Sequence, residues 1–396
     1  MATRIGSGFS HKRNPKHAAT EAVAKAMTSA GVTECDFILV FATVGYDQEV
    51  LIKTLGKLTK DAPLVGCTGE GVVSFDNINE TPTALSVMVF KSDEMRFSVA
   101  KAVDLKADGA KAGVHLAEQL KRHVSDDTMC VWLFPDHLSF NYDAFSSTFE
   151  ASLEAGRHIP IFGGTAADNW QFKRPYQYCN RDVLTDSVVC VMMSGEASIE
   201  SEITHGCIPI GLEREITKSE GNVIQEIDHR RVTDVLQEYI PEEDVANWHR
   251  LGIRCLCVGL KAPESLKEQF DDYIIRAMPV VDFENGTGRI STELKPGTKI
   301  QMISRNPEKL APNAQAMADN IKARLGGKQP QFVVQIDCAG RGKVLRVEEK
   351  TAIQKRLQSF CESEVPWIGL YCYGELGPVG KKNYFHNFTV IIAAFY

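Results

Sequence analysis

The chain has 396 residues, 44% of them hydrophobic and 24% charged, with a net charge of −7 and a pI near 5.9. That length supplies buried cores for two or three domains, and the acidic, dispersed charge lacks the basic face a nucleic-acid partner needs. No stretch approaches the roughly 18 apolar residues of a membrane span, and Met1 to Lys16 lacks the apolar run of a secretory signal, so a cytoplasmic protein without membrane partners is expected.

Asn14 as N-cap, Pro15 at the first helical position and an apolar face of Ala18, Ala19, Ala22, Val23, Ala26 and Met27 predict a helix that Gly31 ends. Phe37 to Ala42 follows as a strand buried on both faces, then a helix capped by Asp47, then a short strand from Leu64 to Cys67. Strands are expected at 84–90, 97–103, 129–134 and 188–193, with helices near 107–123 and 142–156. A second unit starts near Gly221. It contains a helix at 232–239, strands at 256–260 and 273–281, a hairpin turn at Asn285-Gly286, a helix closed by Gly326, strand 332–338, helix 349–362 and strands 366–373 and 388–395. There is no short-period repeat and no low-complexity tract. The order predicts an α/β protein of two layered domains with mixed sheets, 30–205 and 221–375, with strand 385–396 completing a sheet.

The 11 cysteines include no CxxC pair, which excludes a zinc ribbon or thioredoxin-like motif. Cys255 and Cys257 are placed on one face of a strand, too parallel for an easy disulfide. Buried free thiols in a reducing cytosol are expected.

The chain carries no Walker loop, nucleophile elbow or HExxH. Instead, Gly-rich turns follow predicted strands, where open α/β sheets bind ligands. The first, Gly66 to Gly71, offers Cys67, Thr68 and Glu70; the second, Gly163-Gly164 to Trp170, offers Asp168; the third is Cys338 to Gly342 around Arg341. The fourth runs from Tyr373 through Glu375 to Pro378 and is followed by His386 and Asn387. Each reads equally well as a ligand loop or as a tight structural turn, and Arg341 and Glu375 could pair or frame one pocket.

Taken in order, GCTGEG at 66–71, IPIFGGTAAD at 159–168, HGCIPIG at 205–211, GNVIQEID at 221–228, YIIRAMP at 273–279, CAGRG at 338–342, YGELGP at 373–378 and FHNFT at 385–389 resemble the FIST N and FIST C domains. That resemblance implies an intracellular sensor without a settled catalytic residue. It also implies a small ligand such as an amino acid, and a separate signalling partner such as a histidine kinase or a cyclic-dinucleotide enzyme. Arg276, Arg341 and Glu375, near one sheet end, suggest an anionic or zwitterionic ligand. Similarity to the family's haem-binding nitric-oxide sensors implies haem, with His205, Cys207 and His386 as axial candidates. Two rivals stand beside the sensor: a ligand-free scaffold, and a cysteine-dependent enzyme using Cys207 and His205, for which no third orienting group is evident. The polar stretch 195–225, with Gly195, Gly206, Gly211 and Gly221, is the expected hinge.

Overall fold

The computed structural model describes residues 3–75, 77–248, 256–266, 270–342 and 345–396; Cys255 lies outside these. One arrangement occurs three times. The first unit runs β1 (Arg4–Ser10), α1 (Pro15–Ala30), β2 (Phe37–Ala42), α2 (Gln48–Leu58), β3 (Leu64–Thr68), a hairpin β4 (Gly71–Ser74) and β5 (Asn77–Asn79), and β6 (Leu85–Lys91). The second repeats it as β7 (Met95–Val103), α3 (Gly109–Lys121), β8 (Thr128–Pro135), α4 (Tyr142–Leu153), β9 (Ile161–Gly164), hairpin β10 (Gln177–Cys179) and β11 (Asp182–Leu184), and β12 (Ser187–Gly195).

The third unit opens with β13 (Ile199–His205) and is then interrupted by an insert. The insert comprises β14 (Cys207–Glu220), β15 (Val223–Ile227), β16 (Arg230–Arg231), α5 (Val232–Leu236), α6 (Glu242–Ala246), β17 (Leu256–Lys261), β18 (Tyr273–Arg276), β19 (Val280–Asp282), β20 (Thr287–Arg289) and β21 (Lys299–Arg305). The unit resumes with α7 (Pro307–Leu325), β22 (Phe332–Cys338), α8 (Ala339–Gly342), α9 (Val347–Leu357), β23 (Trp367–Cys372), hairpin β24 (Glu375–Val379) and β25 (Lys382–His386), and β26 (Thr389–Phe395).

Each unit builds a six-stranded sheet with the same register logic. First strand pairs antiparallel with last, last with second, and second runs parallel to third. The third strand then pairs with a hairpin donated by a different unit. β10–β11 completes the first sheet, β24–β25 the second and β4–β5 the third, so the exchange is cyclic. These sheets are mixed, as the strand and helix order predicts.

The inner faces of all three sheets meet in one core that includes Phe41, Trp132, Phe134, Phe162, Ile336 and Leu370. Helices cover the outer faces, α1 and α2 through Ala22, Leu51 and Leu55, α3 and α4 through Leu116, Phe145 and Phe149, α7 and α9 through Met317, Ile321 and Leu357. A strand covered on both sides can be apolar throughout, which is why every residue of Phe37–Ala42 is buried. The first helix is bounded as its sequence predicts: the Asn14 side chain accepts from the Lys16 and His17 amides, and Gly31 ends it at φ 65°. Among the described residues no helix is long and apolar enough to cross a membrane.

Three local expectations change. The strand predicted at 273–281 breaks into β18 and β19 around Ala277–Pro279. The helix predicted at 232–239 stops at Leu236. The stretch 195–225 is largely strand rather than linker. The chain crosses between the body and the insert at Gly206 and again at Asn306, whose N–H donates to the Gly206 carbonyl at 2.7 Å.

Candidate functional site

The turns that follow β3, β9 and β23 occupy equivalent places and bond to one another. Glu70 N–H donates to Tyr371 O, Ala167 N–H to Thr68 O and Thr165 N–H to Gly374 O, each at 2.8 Å. Cys67-Thr68-Gly69-Glu70 and Cys372-Tyr373-Gly374-Glu375 are matching copies. Their glycines serve close sheet packing: Gly163 has φ 144°, and a Cβ there would lie 1.9 Å from the Leu133 carbonyl oxygen. Gly164 stands against Cys372 Sγ. Cys67 is buried in the central core, and the Thr68 hydroxyl accepts from the Tyr176 amide at 2.9 Å.

Acidic groups in these turns hold structure. Glu70 accepts from the Tyr373 hydroxyl and from Trp170 N–H. Asp168 accepts from the amides of Phe172, Lys173 and Arg174 at 2.9, 2.6 and 2.7 Å. That clamp holds Asn169, Trp170 and Phe172 at φ 61°, 58° and 52°, a left-handed conformation that non-glycine residues rarely adopt. Glu375 is fully buried and accepts from the Thr389 hydroxyl at 2.9 Å and from Cys372 Sγ at 3.4 Å; burial pushes its carboxyl up to about 8. Arg341 does not meet Glu375. Its Nη1 donates to both oxygens of Asp337 at 3.0 Å, four residues earlier, while Nε and Nη2 are buried without a hydrogen-bond partner.

The strained loop presents its aromatic rings to a space between the body and the insert. Phe172 stacks on Tyr373 with ring centroids 4.8 Å apart, and Trp170 and His137 approach Tyr373 at 5.3 and 4.9 Å. These rings, with Phe388, Cys338, Gly340, Ala277 and Pro279, enclose a chamber of about 20 Å³. His137, Phe172 and Pro279 also wall a cleft of about 300 Å³ alongside it, reached by Lys106, Ser139, Asn141, Asn222, Arg289 and Ser291.

Lys106 and Arg289 are exposed, and neither forms an ion pair among the described residues. Ser139 Oγ is buried without a partner. Burial, reinforced by nearby Arg289, pushes the His137 imidazole down to about 4, so the ring is neutral at pH 7. No carboxylate lines the cleft among the described residues.

The FIST N domain model matches residues 36–230 and the FIST C domain model residues 233–378. The chain belongs to the FIST family. An uncharacterized protein of Mycobacterium tuberculosis is 26% identical over 411 residues, covering 99% of each chain. An uncharacterized protein of Methanocaldococcus jannaschii is 23% identical over 318 residues, covering 77% of this chain and 60% of its own. Among solved structures, cyanuric acid hydrolase from A. caulinodans has a TM-score of 0.38 at 9% identity and 99% coverage of both chains. A chorismatase has a TM-score of 0.35 at 9% identity, covering 100% of this chain and 99% of its own. Both likenesses are too distant to assign chemistry.

In this FIST chain the remaining sequence candidates serve the seam between body and insert. Arg276 donates to Phe385 O at 2.6 Å and to Thr292 Oγ1 at 3.0 Å; burial draws it down to about 10, against the opposing pull of the Asp143 carboxylate. Asn387 accepts from Ala277 N–H at 2.8 Å and donates to Tyr373 O at 3.0 Å, linking insert, chamber and the turn after β23.

The haem candidates His205, Cys207 and His386 are all buried. His205 Nδ1 accepts from Cys207 N–H at 3.1 Å and Nε2 lies 3.0 Å from Tyr273 O, so both ring nitrogens are engaged. His386 is fully buried with Nε2 at 3.2 Å from Gly377 O, and burial pushes it down to about 3. Cys207 packs beneath Ile275 and Phe388; a hydrogen bond from the Cys257 thiol, together with His205, draws it down to about 6. Among the described residues no group of three His, Cys, Asp or Glu side chains could hold a metal ion.

The sequence marks the turns that contain Trp170 and Tyr373 but points to their acidic neighbours. His137, Lys106 and Arg289 were missed because they fall outside the Gly-rich turns. A cation beside Pro279 or His137 becomes informative only once the insert is folded against the second unit.

Proposed function

We propose that this protein is a sensor that binds a small organic anion in the cleft between the insert and the second unit. FIST domains are associated with small-ligand sensing in signalling, and the cleft supplies the chemistry for it. The observation that carries the reading is the pair of cations, Lys106 and Arg289, which among the described residues form no ion pair and share a cleft with a buried orphan hydroxyl and no carboxylate. An anion gains charge-assisted hydrogen bonds there, whereas the ammonium of an amino acid finds no counter-charge. Ligand bridging both walls favours the seated insert and shifts the population toward it. A separate effector, such as a histidine kinase or cyclic-dinucleotide enzyme, would read that state in the cytoplasm. The buried Cys207 does not line this cleft, which weighs against the cysteine-enzyme reading.

Calorimetric titration with succinate and aspartate tests the proposal. Succinate should bind more tightly, and Arg289→Gln should weaken it by roughly tenfold or more, the loss of one charge-assisted pair. Equal binding of both, or an unchanged Arg289→Gln, would refute it. Hydrogen exchange at 205–207, 276–279 and 305–307 should slow on saturation.

A further inference from the structure

The cleft and the chamber share one wall and have opposite character. At one end stand Lys106 and Arg289; at the other, Phe172, Tyr373, Trp170 and Phe388 surround the chamber, and His137, Phe172 and Pro279 form the partition. Phe172 is half-buried, stacked on Tyr373 at 4.8 Å with an interplanar angle of 20°, and belongs to the wall of both spaces. Its position is imposed: the Asp168 clamp and three left-handed residues hold the loop where relaxed backbone would not place it. Strain of this kind persists where surrounding structure over-determines it, and it gathers at ligand sites. The partition therefore presents flat surfaces to the cleft that also carries the two cations.

Resting on the cleft reading, we infer that the ligand is an aryl carboxylate or aryl phosphate. Its charged group lies at Lys106 and Arg289, and its ring lies against Phe172, Pro279 and His137. A flat ring gains offset or edge contacts with aromatic walls beyond its apolar area, which a puckered ring of equal size does not. Ring and anion must also be close together, because a cleft of about 300 Å³ admits a small molecule without a long spacer.

The test is calorimetry with acetate, cyclohexanecarboxylate and benzoate on the full-length chain, with tryptophan emission followed in parallel and Trp170→Phe as the control that isolates the Trp170 contribution. Trp170 is 6.0 Å from Phe172, so a ring seated there should alter its fluorescence. Benzoate should bind roughly tenfold more tightly than acetate and more tightly than cyclohexanecarboxylate. Phe172→Leu should erase the preference for benzoate while keeping acetate binding, which also shows that the variant is folded. If cyclohexanecarboxylate matches benzoate, or benzoate matches acetate, the aryl assignment is overturned while the cleft reading stands. If no carboxylate binds, or Arg289→Gln binds all three as wild type does, the cleft reading falls with it.

Discussion

Replacing Glu375 by glutamine removes a proton that the folded chain holds far above the ordinary carboxyl range. The group is fully buried, its oxygens take hydrogen bonds from Thr389 and Cys372, and no cation pairs with it among the described residues. Burial raises it from 4.5 to about 8. In the unfolded chain the same carboxyl ionises near 4.5, so between that value and about 8 unfolding releases a proton and stability falls as pH rises. Stability from the neutral form is complete below the unfolded value and lost through the folded one. A shift of that size amounts to about 5 kcal/mol across the window. Glutamine keeps an acceptor for Thr389 and has nothing to titrate. Urea unfolding of both proteins at intervals from pH 5 to 9 gives the difference directly. Glu375→Gln should gain on wild type steadily toward pH 8, by several kcal/mol in total. Curves that stay parallel within about 1 kcal/mol would refute the assignment of a neutral buried carboxyl.

Gly163→Ala places a Cβ 1.9 Å from Leu133 O at φ 144°, and thermal denaturation should register a loss of about 4 kcal/mol or failure to fold. Asp168→Ala frees three amides of the aromatic loop; protease should cut within 169–175 while overall stability falls by about 1–3 kcal/mol. His137 is lowered from 6.5 to about 4, so wild type should lose about 3 kcal/mol as pH falls through that window, and His137→Gln should flatten this part of the acid unfolding curve.

The elements read most easily from sequence were those whose pattern is local. Asn14, Pro15 and Gly31 bound a helix whatever surrounds it, and Phe37–Ala42 can be buried on both faces only as an inner strand. The exchanged hairpins were not read as strands. Gly71–Asn79 and Glu375–His386 combine glycine, proline and polar residues, and their partners lie in other units, so nothing nearby in the chain signals pairing. β1 was missed for a similar reason: Arg4–Ser10 is rich in glycine and serine and gains its partner only from β6. The threefold repeat was hidden by the insert, which separates β13 from α7, whereas α1 and α3 follow their first strands closely. At the site, Glu70, Asp168 and Glu375 drew notice as ligand groups, but burial and backbone amides occupy them. The residues that could meet a ligand become visible only when the two walls come together.

Cyclic exchange also fixes an order of assembly. β4 is synthesised early, yet its partner β23 lies near the end of the chain, with Val72 opposite Leu370; β9 likewise waits for Leu376 to meet Gly163. No single unit can close its own sheet, so none offers a self-sufficient folding intermediate. Pairings so distant in sequence slow the search for the native state, because a large loop must close before any contact rewards it. During synthesis the edge of β3 stays open until β10 has been made and that of β9 until β24 has, and an open strand edge is a template for pairing with another chain.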